Sequence, residues 1–297
     1  MKNGTITRRD FLRGSVATTL AVTMGLPFEI KAEHELKKKT KVILIRDADV
    51  IDKRGTINLK VIQRMLDKAI TTLFSKKDPV EAWKLLVKPT DVVGIKSNVW
   101  GPLPTPKEME SALKKHVLDA GVPENNISID DRGVLKNKIF LNATALVNVL
   151  PFITHHWSGV GGCIKNYIMF APNPPFYHPD SCANLAAVWK LPIVKDKTRL
   201  NILVMLTPLF HGIGAHHFDS TYTWPYKGIL VGTDPVALDA VGLRIIELKR
   251  KAYFGEDMPL KPPAKHIAIA DITHKLGTSN LKEIELLKIG WMEEILI

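Results

Sequence analysis

Ala145-Leu146-Val147-Asn148-Val149-Leu150 is apolar but for one asparagine, and a run so short and so apolar reads as a buried strand. It leads into His155-His156-Trp157-Ser158-Gly159-Val160-Gly161-Gly162-Cys163-Ile164-Lys165-Asn166. Histidines, a glycine cluster and a lysine–asparagine pair after such a strand are the order expected where a sheet delivers chain into a ligand site. A long loop over about residues 151–180 is expected to carry them, with Trp157, Tyr167, Phe176, Tyr177 and His178 on it. A loop of that length within a domain is commonly a functional one.

On the N-terminal side, Val42-Ile43-Leu44-Ile45 reads as a first strand. Residues 57–74 place Ile57, Val61, Ile62, Met65, Leu66, Ala69, Ile70 and Leu73 on one face of a helix. A short helix over 80–87 precedes a second strand over 91–98. Thr105 and Pro106 then supply an N-cap and a first helical position for a helix running towards Gly121. A third strand covers 126–130. On the C-terminal side the pattern predicts a helix over 181–190, a strand over 200–206 and a second histidine-rich loop, His211-Gly212-Ile213-Gly214-Ala215-His216-His217. A strand over 228–231, a helix from Asp234-Pro235 to about residue 248, a helix over 264–276 and an apolar run over 284–289 complete the chain.

Strands alternating with helices predict an α/β fold, a mostly parallel sheet flanked by helices with a long functional loop region. With all strands parallel, Lys96, Asn98, Asp130, Asp131, His155, His211 and Asp234 would follow carboxyl ends of strands and meet on one rim, the edge where open α/β sheets bind ligands.

Composition narrows the class. The 297 residues are 45% hydrophobic and 24% charged, which is globular and sufficient for one large domain. The net charge of +11 is spread thinly outside Lys37–Lys39 and Lys249–Lys251 and is not interleaved with aromatics. It reads as solvated basic faces, with no nucleic-acid motif. The two cysteines, Cys163 and Cys182, are too few for a cysteine-ligated iron–sulfur cluster within this chain. They leave open a single disulfide or two buried thiols.

Thr7-Arg8-Arg9-Asp10-Phe11-Leu12-Arg13, followed by a mildly apolar run over 15–26, resembles a bacterial twin-arginine export signal. Residues 1–32 are therefore expected to be a signal peptide and 33–297 a single domain. The apolar run is short for a membrane span. The translocation machinery becomes an expected partner, the expected location is periplasmic or otherwise extracytoplasmic, and no stable membrane span is expected after processing. That route carries folded proteins, often with a cofactor already loaded.

Gly94-Ile95-Lys96-Ser97-Asn98, Leu146-Val147-Asn148-Val149-Leu150-Pro151, Thr154-His155, Gly162-Cys163-Ile164-Lys165-Asn166, His178 and the segment from Gly232 to Val241 occur in an order and spacing that resembles the family catalogued as domain of unknown function 362. The resemblance runs from about Lys41 to Ile289. It implies redox or cofactor chemistry without naming a reaction. The chain departs from the family pattern at Ile153, where a lysine often precedes Thr-His, and around Met205 to Thr207, where an aspartate is common.

The expected site follows from these strand ends. Lys96, Asn98, Lys165, Asn166 and Asp234 are candidate ligand-binding residues. Backbone amides after the glycines and the Lys165 ammonium could together take an anion. His155, His178 and Asp239 are candidate catalytic residues. Asp239 lies in a helix apolar nearly all round, where a carboxylate needs a partner. His155, His178 and His211 are candidate ligands for a divalent metal. Two functions fit: an exported enzyme acting on a small anionic substrate, with a metal or redox-related cofactor, or a non-catalytic ligand-binding or carrier protein of the cell envelope.

Overall fold

Adjacent residues of the central strands enter two different cores, because strand side chains alternate between the faces of a sheet. Val42 and Leu44 face one core and Ile43 and Ile45 the other; Leu146, Leu150 and Phe152 oppose Ala145, Val147 and Val149. The computed structural model describes residues 39–297 except Trp100, Ile213 and the side chains of Ala215 and His216. The expected signal segment, residues 1–32 with its arginine pair, lies outside them.

Eight strands form one sheet in the order β3-β2-β4-β6-β7-β1-β8, with β5 paired to β4. They are β1 (Thr40–Arg46), β2 (Val93–Lys96), β3 (Ile127–Asp130), β4 (Ala145–His155), β5 (Gly159–Gly161), β6 (Thr198–Leu209), β7 (Gly228–Gly232) and β8 (Ile284–Gly290). The β3–β2, β2–β4, β4–β6 and β1–β8 pairs are parallel. Helices cover both faces, as the double burial of the strands requires. On one side lie α1 (Leu59–Phe74), α2 (Pro79–Trp83) and α3 (Lys107–Asp119). After α4 (Lys138–Leu141), the other side holds α5 (Cys163–Asn166), α6 (Pro179–Cys182), α7 (Pro235–Phe254) and α8 (Lys265–Ile272). The expected α/β class, mostly parallel and flanked by helices, is the one found.

Several details differ from the sequence reading. The central strand does not end at Leu150. Its pairing with β6 shifts between Pro151 and Ile153 and then resumes at Ile153 opposite Leu209, so β4 runs on to His155 and folds back through β5. Pro151 carries no N–H, and the irregularity lets the strand pass it. Much of the expected loop is therefore a β-hairpin, α5 and tight turns.

The helix expected over 181–190 is broken. Asp180, Ser181 and Cys182 have φ of 50°, 57° and 60°, a left-handed path that an α-helix of L-residues does not follow, so α6 is a kinked turn and not a regular helix, and a 3-10 segment takes over at Leu185–Lys190. Pro106, not Thr105, is the residue before α3. The Thr105 hydroxyl instead accepts from the Asn98 amide at 3.1 Å.

The largest departure is β7. It runs antiparallel to both β6 and β1, so its carboxyl end lies at the opposite edge of the sheet. Asp234 is two residues beyond that end and does not share the rim with Lys96 and His155. Among the described residues, no helix is long and apolar enough to cross a membrane.

Candidate functional site

Because β2, β3 and β4 are parallel neighbours, Asn98, Asp131, Arg132 and His155 arrive at one edge of the sheet. The β4–β5 hairpin and α5 fold over that edge and enclose a cavity of about 400 Å3. Leu150, Pro151, Ile153, Ile168, Met169 and Pro174 make its apolar wall; Asn98, Asp131, Arg132, His155, Lys165, Asn166 and His178 supply its polar groups.

The two candidate lysines differ sharply. Lys96 is fully buried, and its Nζ donates to Asp131 Oδ1 at 2.5 Å, Ser97 O at 2.7 Å and Asn166 Oδ1 at 3.1 Å. An ammonium has three protons, so Lys96 has none to spare for a ligand. Burial lowers its pKa, against the pull of Asp131. Asp131 is completed by the Val99 amide, which donates to Oδ2 at 3.0 Å. Asn166 is absorbed in the same way: its Oδ1 also receives Asn98 Nδ2 at 3.3 Å, and its Nδ2 donates to Asn148 Oδ1 at 2.8 Å. Asn148 passes the network to Asn201 at 3.0 Å, and Asn201 to Thr233 O at 3.1 Å. Lys96 and Asn166 thus tie the strands together beneath the cavity.

Lys165 is 8% exposed and lines the cavity. Among the described residues its Nζ has no hydrogen-bond or ion-pair partner, and the Trp157 ring centroid lies 5.9 Å from it. Burial pushes its pKa down, and nearby Cys182 opposes that only in part. A buried ammonium with no counter-charge among the described residues is costly, which leaves this group of the wall energetically unfinished.

Two imidazoles share the wall with it. His155 closes β4, and the Trp157 amide donates to its Nδ1 at 3.1 Å, so in the neutral ring the proton sits on Nε2. Burial first, then the positive Lys165, holds its pKa down at about 2. His178 packs on Trp157 with ring centroids 3.9 Å apart, and burial followed by Lys165 lowers it to about 4. Both are neutral at ordinary pH, and since the His155 lone pair on Nδ1 already accepts from Trp157, His178 is the one of the two placed to take a proton.

The remaining candidates fall elsewhere. Asp239 Oδ1 accepts from the Cys163 amide at 2.6 Å and Oδ2 from the Ile164 amide at 3.0 Å. The carboxylate therefore holds the start of α5, and the amides expected to bind an anion already have an acceptor. Gly162 is required here, because a Cβ at that position would sit on the Asp239 carboxylate. Burial, only partly offset by those amides, pushes Asp239 up to about 7. Asp234 caps its own helix through Val236 and Ala237 and accepts from Thr278 with its other oxygen. His211 does not line the cavity; its Nδ1 lies 2.9 Å from the Arg250 guanidinium. Among the described residues, no three His, Cys, Asp or Glu side chains stand together as a metal-ligand set, so the trio His155, His178 and His211 is not assembled. Cys163 and Cys182 are both buried and free.

The sequence reading passed over Arg132 and His266. Arg132 is an exposed cation on the cavity wall that pairs with no carboxylate among the described residues. Its signal was available, since it follows the Asp130-Asp131 strand end. His266 is wholly buried with neither ring nitrogen hydrogen-bonded, and burial, then Lys165, lowers it to about 3. Nothing in its local sequence marks it.

A family model described as Domain of unknown function (DUF362) matches residues 109–244. The match supports the resemblance read from the sequence over a span that includes β3, β4, α5 and Asp239. No curated protein and no solved structure matches the chain.

Proposed function

We propose that this chain, similar over residues 109–244 to a family of unassigned activity, is an enzyme that takes a small organic anion into the cavity at the edge of the sheet. The observation that carries the reading is Lys165, a buried cation without a counter-charge among the described residues, on the wall of a cavity large enough for such a ligand. The anion supplies the missing charge, Arg132 attracts it at the surface, and the neutral imidazole of His178 moves protons while His155 lines the wall beside it. Of the three expected metal ligands, His155 and His178 line the wall and His211 does not, which is two of the three or four protein ligands usual for zinc. The proposed chemistry therefore rests on the chain's own groups.

A thermal-shift screen of small carboxylates and phosphates tests this. A binding anion raises the melting temperature of the wild type, and Lys165→Met abolishes the shift. Retention of the full shift in Lys165→Met would remove the reading. The alternative, a non-catalytic carrier, draws on the internal engagement of Lys96 and Asn166, which leaves few groups free to act on a ligand. Recovery of the bound compound unchanged after long incubation favours the carrier, and its conversion the enzyme.

Export goes with the proposal on the strength of the Arg8-Arg9 pattern. Cell fractionation checks it: replacement of both arginines by lysine should leave the protein in the cytoplasm, and an unchanged distribution would refute export by this signal.

A further inference from the structure

We propose that the Lys165 amine forms a covalent imine with the ligand of this cavity, and that the ligand class is a small 2-oxo carboxylate. This deepens the anion-binding reading and rests on it.

Two buried lysines stand near one another in this fold, and only one is free to react. Lys96 has every proton engaged and a carboxylate 2.5 Å away to keep it charged. Lys165 has neither among the described residues, so nothing but the cavity competes for its Nζ. Burial disfavours its charged form, the condition under which a lysine serves as a nucleophile towards carbonyl carbon. The wall beside it, with Leu150, Ile153, Ile168 and Met169, is apolar, and a water-poor surface favours a step that expels water.

Arg132 gives the carboxylate end its place. It lines the same cavity from the exposed side, and a guanidinium is suited to bidentate recognition of a carboxylate. With the carboxylate at Arg132, the adjacent carbonyl carbon would lie in the cavity that Lys165 also lines. The Lys165 ammonium, its charged form disfavoured by burial, gives one proton to solvent, and the lone pair left on Nζ forms the N–C bond as the C=O π pair moves to oxygen. The His178 imidazole, on the same wall, takes a proton from nitrogen and returns it to that oxygen. The carbinolamine then loses its hydroxyl with one further proton as water, leaving C=N. No oxidant or reductant is needed.

Borohydride trapping tests the step. The intact protein is incubated with pyruvate or glyoxylate, reduced with sodium borohydride, digested and mapped by mass spectrometry, with lactate as a carboxylate that lacks the carbonyl. The expected result is a reduced adduct concentrated on the peptide carrying Lys165, none with lactate, and a severalfold lower yield in Arg132→Gln. Lys165→Arg should keep a thermal shift with pyruvate, since the charge remains, but give no adduct. A thermal shift in the wild type with no adduct on Lys165 overturns the imine and leaves the anion-binding reading standing. Absence of both overturns both. Adduct spread evenly over exposed lysines also overturns the imine, and the wild-type map decides this even if a variant fails to fold.

Discussion

Lys96 and Lys165 have the same side chain and nearly the same burial, yet their replacement by methionine should move stability in opposite directions. Lys96→Met leaves Asp131 buried, 5% exposed, without its cation, and breaking a buried pair from one side costs about 3–5 kcal/mol. Lys165→Met removes a charge that has no partner among the described residues and keeps most of the apolar stem, so it should stabilise the ligand-free protein by about 1 kcal/mol. Urea denaturation of both variants checks the contrast. A loss of stability in Lys165→Met as large as in Lys96→Met would mean that the ammonium is held by the fold and is not waiting for a ligand.

At the scale of elements, α5 is the piece on which the site depends. It has only four residues, too few to be stable as a helix by itself, and its first amides rest on Asp239 from α7. Asp239→Ala leaves two buried N–H groups without acceptors, at about 1–3 kcal/mol each. We expect a loss of about 3 kcal/mol in urea denaturation, together with a weakened anion-induced thermal shift, because Lys165 lies on the same short helix. A destabilised protein with an undiminished shift would show that α5 keeps its place by other contacts. The β4–β5 hairpin is the second such piece: by extending β4 to His155 it places an imidazole on a rigid strand end.

For the whole molecule, the buried titratable groups set the response to pH. His155 and His266 stay neutral in the fold, at about 2 and about 3, against an ordinary 6.5. Below pH 6.5 the unfolded chain binds protons that the folded chain refuses, so stability is lost as pH falls. Asp239, raised to about 7, acts in the opposite sense between its ordinary value and 7, since the folded chain then holds the extra proton. Two imidazoles against one carboxyl leave a net loss of about 1.4 kcal/mol per pH unit between roughly pH 6.5 and 4. His116, His178, His211 and His274 are lowered as well, against raised Asp67 and Asp234, which keeps the sign. Urea midpoints at about pH 7 and pH 5 measure the slope; a midpoint that rises on acidification would contradict it.

What the sequence determined by itself is local: apolar runs for β1, β4 and β6, one-sided helices such as α1, and Asp234-Pro235 as a helix start; the glycine–lysine–asparagine segment, a candidate from sequence, lines the cavity. Each of these follows from side-chain period or from groups a few residues apart. The direction of β7, which sends Asp234 to the far edge, has no local signature, because the same apolar run suits either direction. The opposite fates of Lys96 and Lys165 depend on Asp131, which lies 35 residues from Lys96 and has no counterpart at Lys165. The engagement of Asp239 with α5 spans 76 residues. Only tertiary structure decides which buried charge finds a partner, because the partner comes from a distant segment while burial withdraws the water that would otherwise serve.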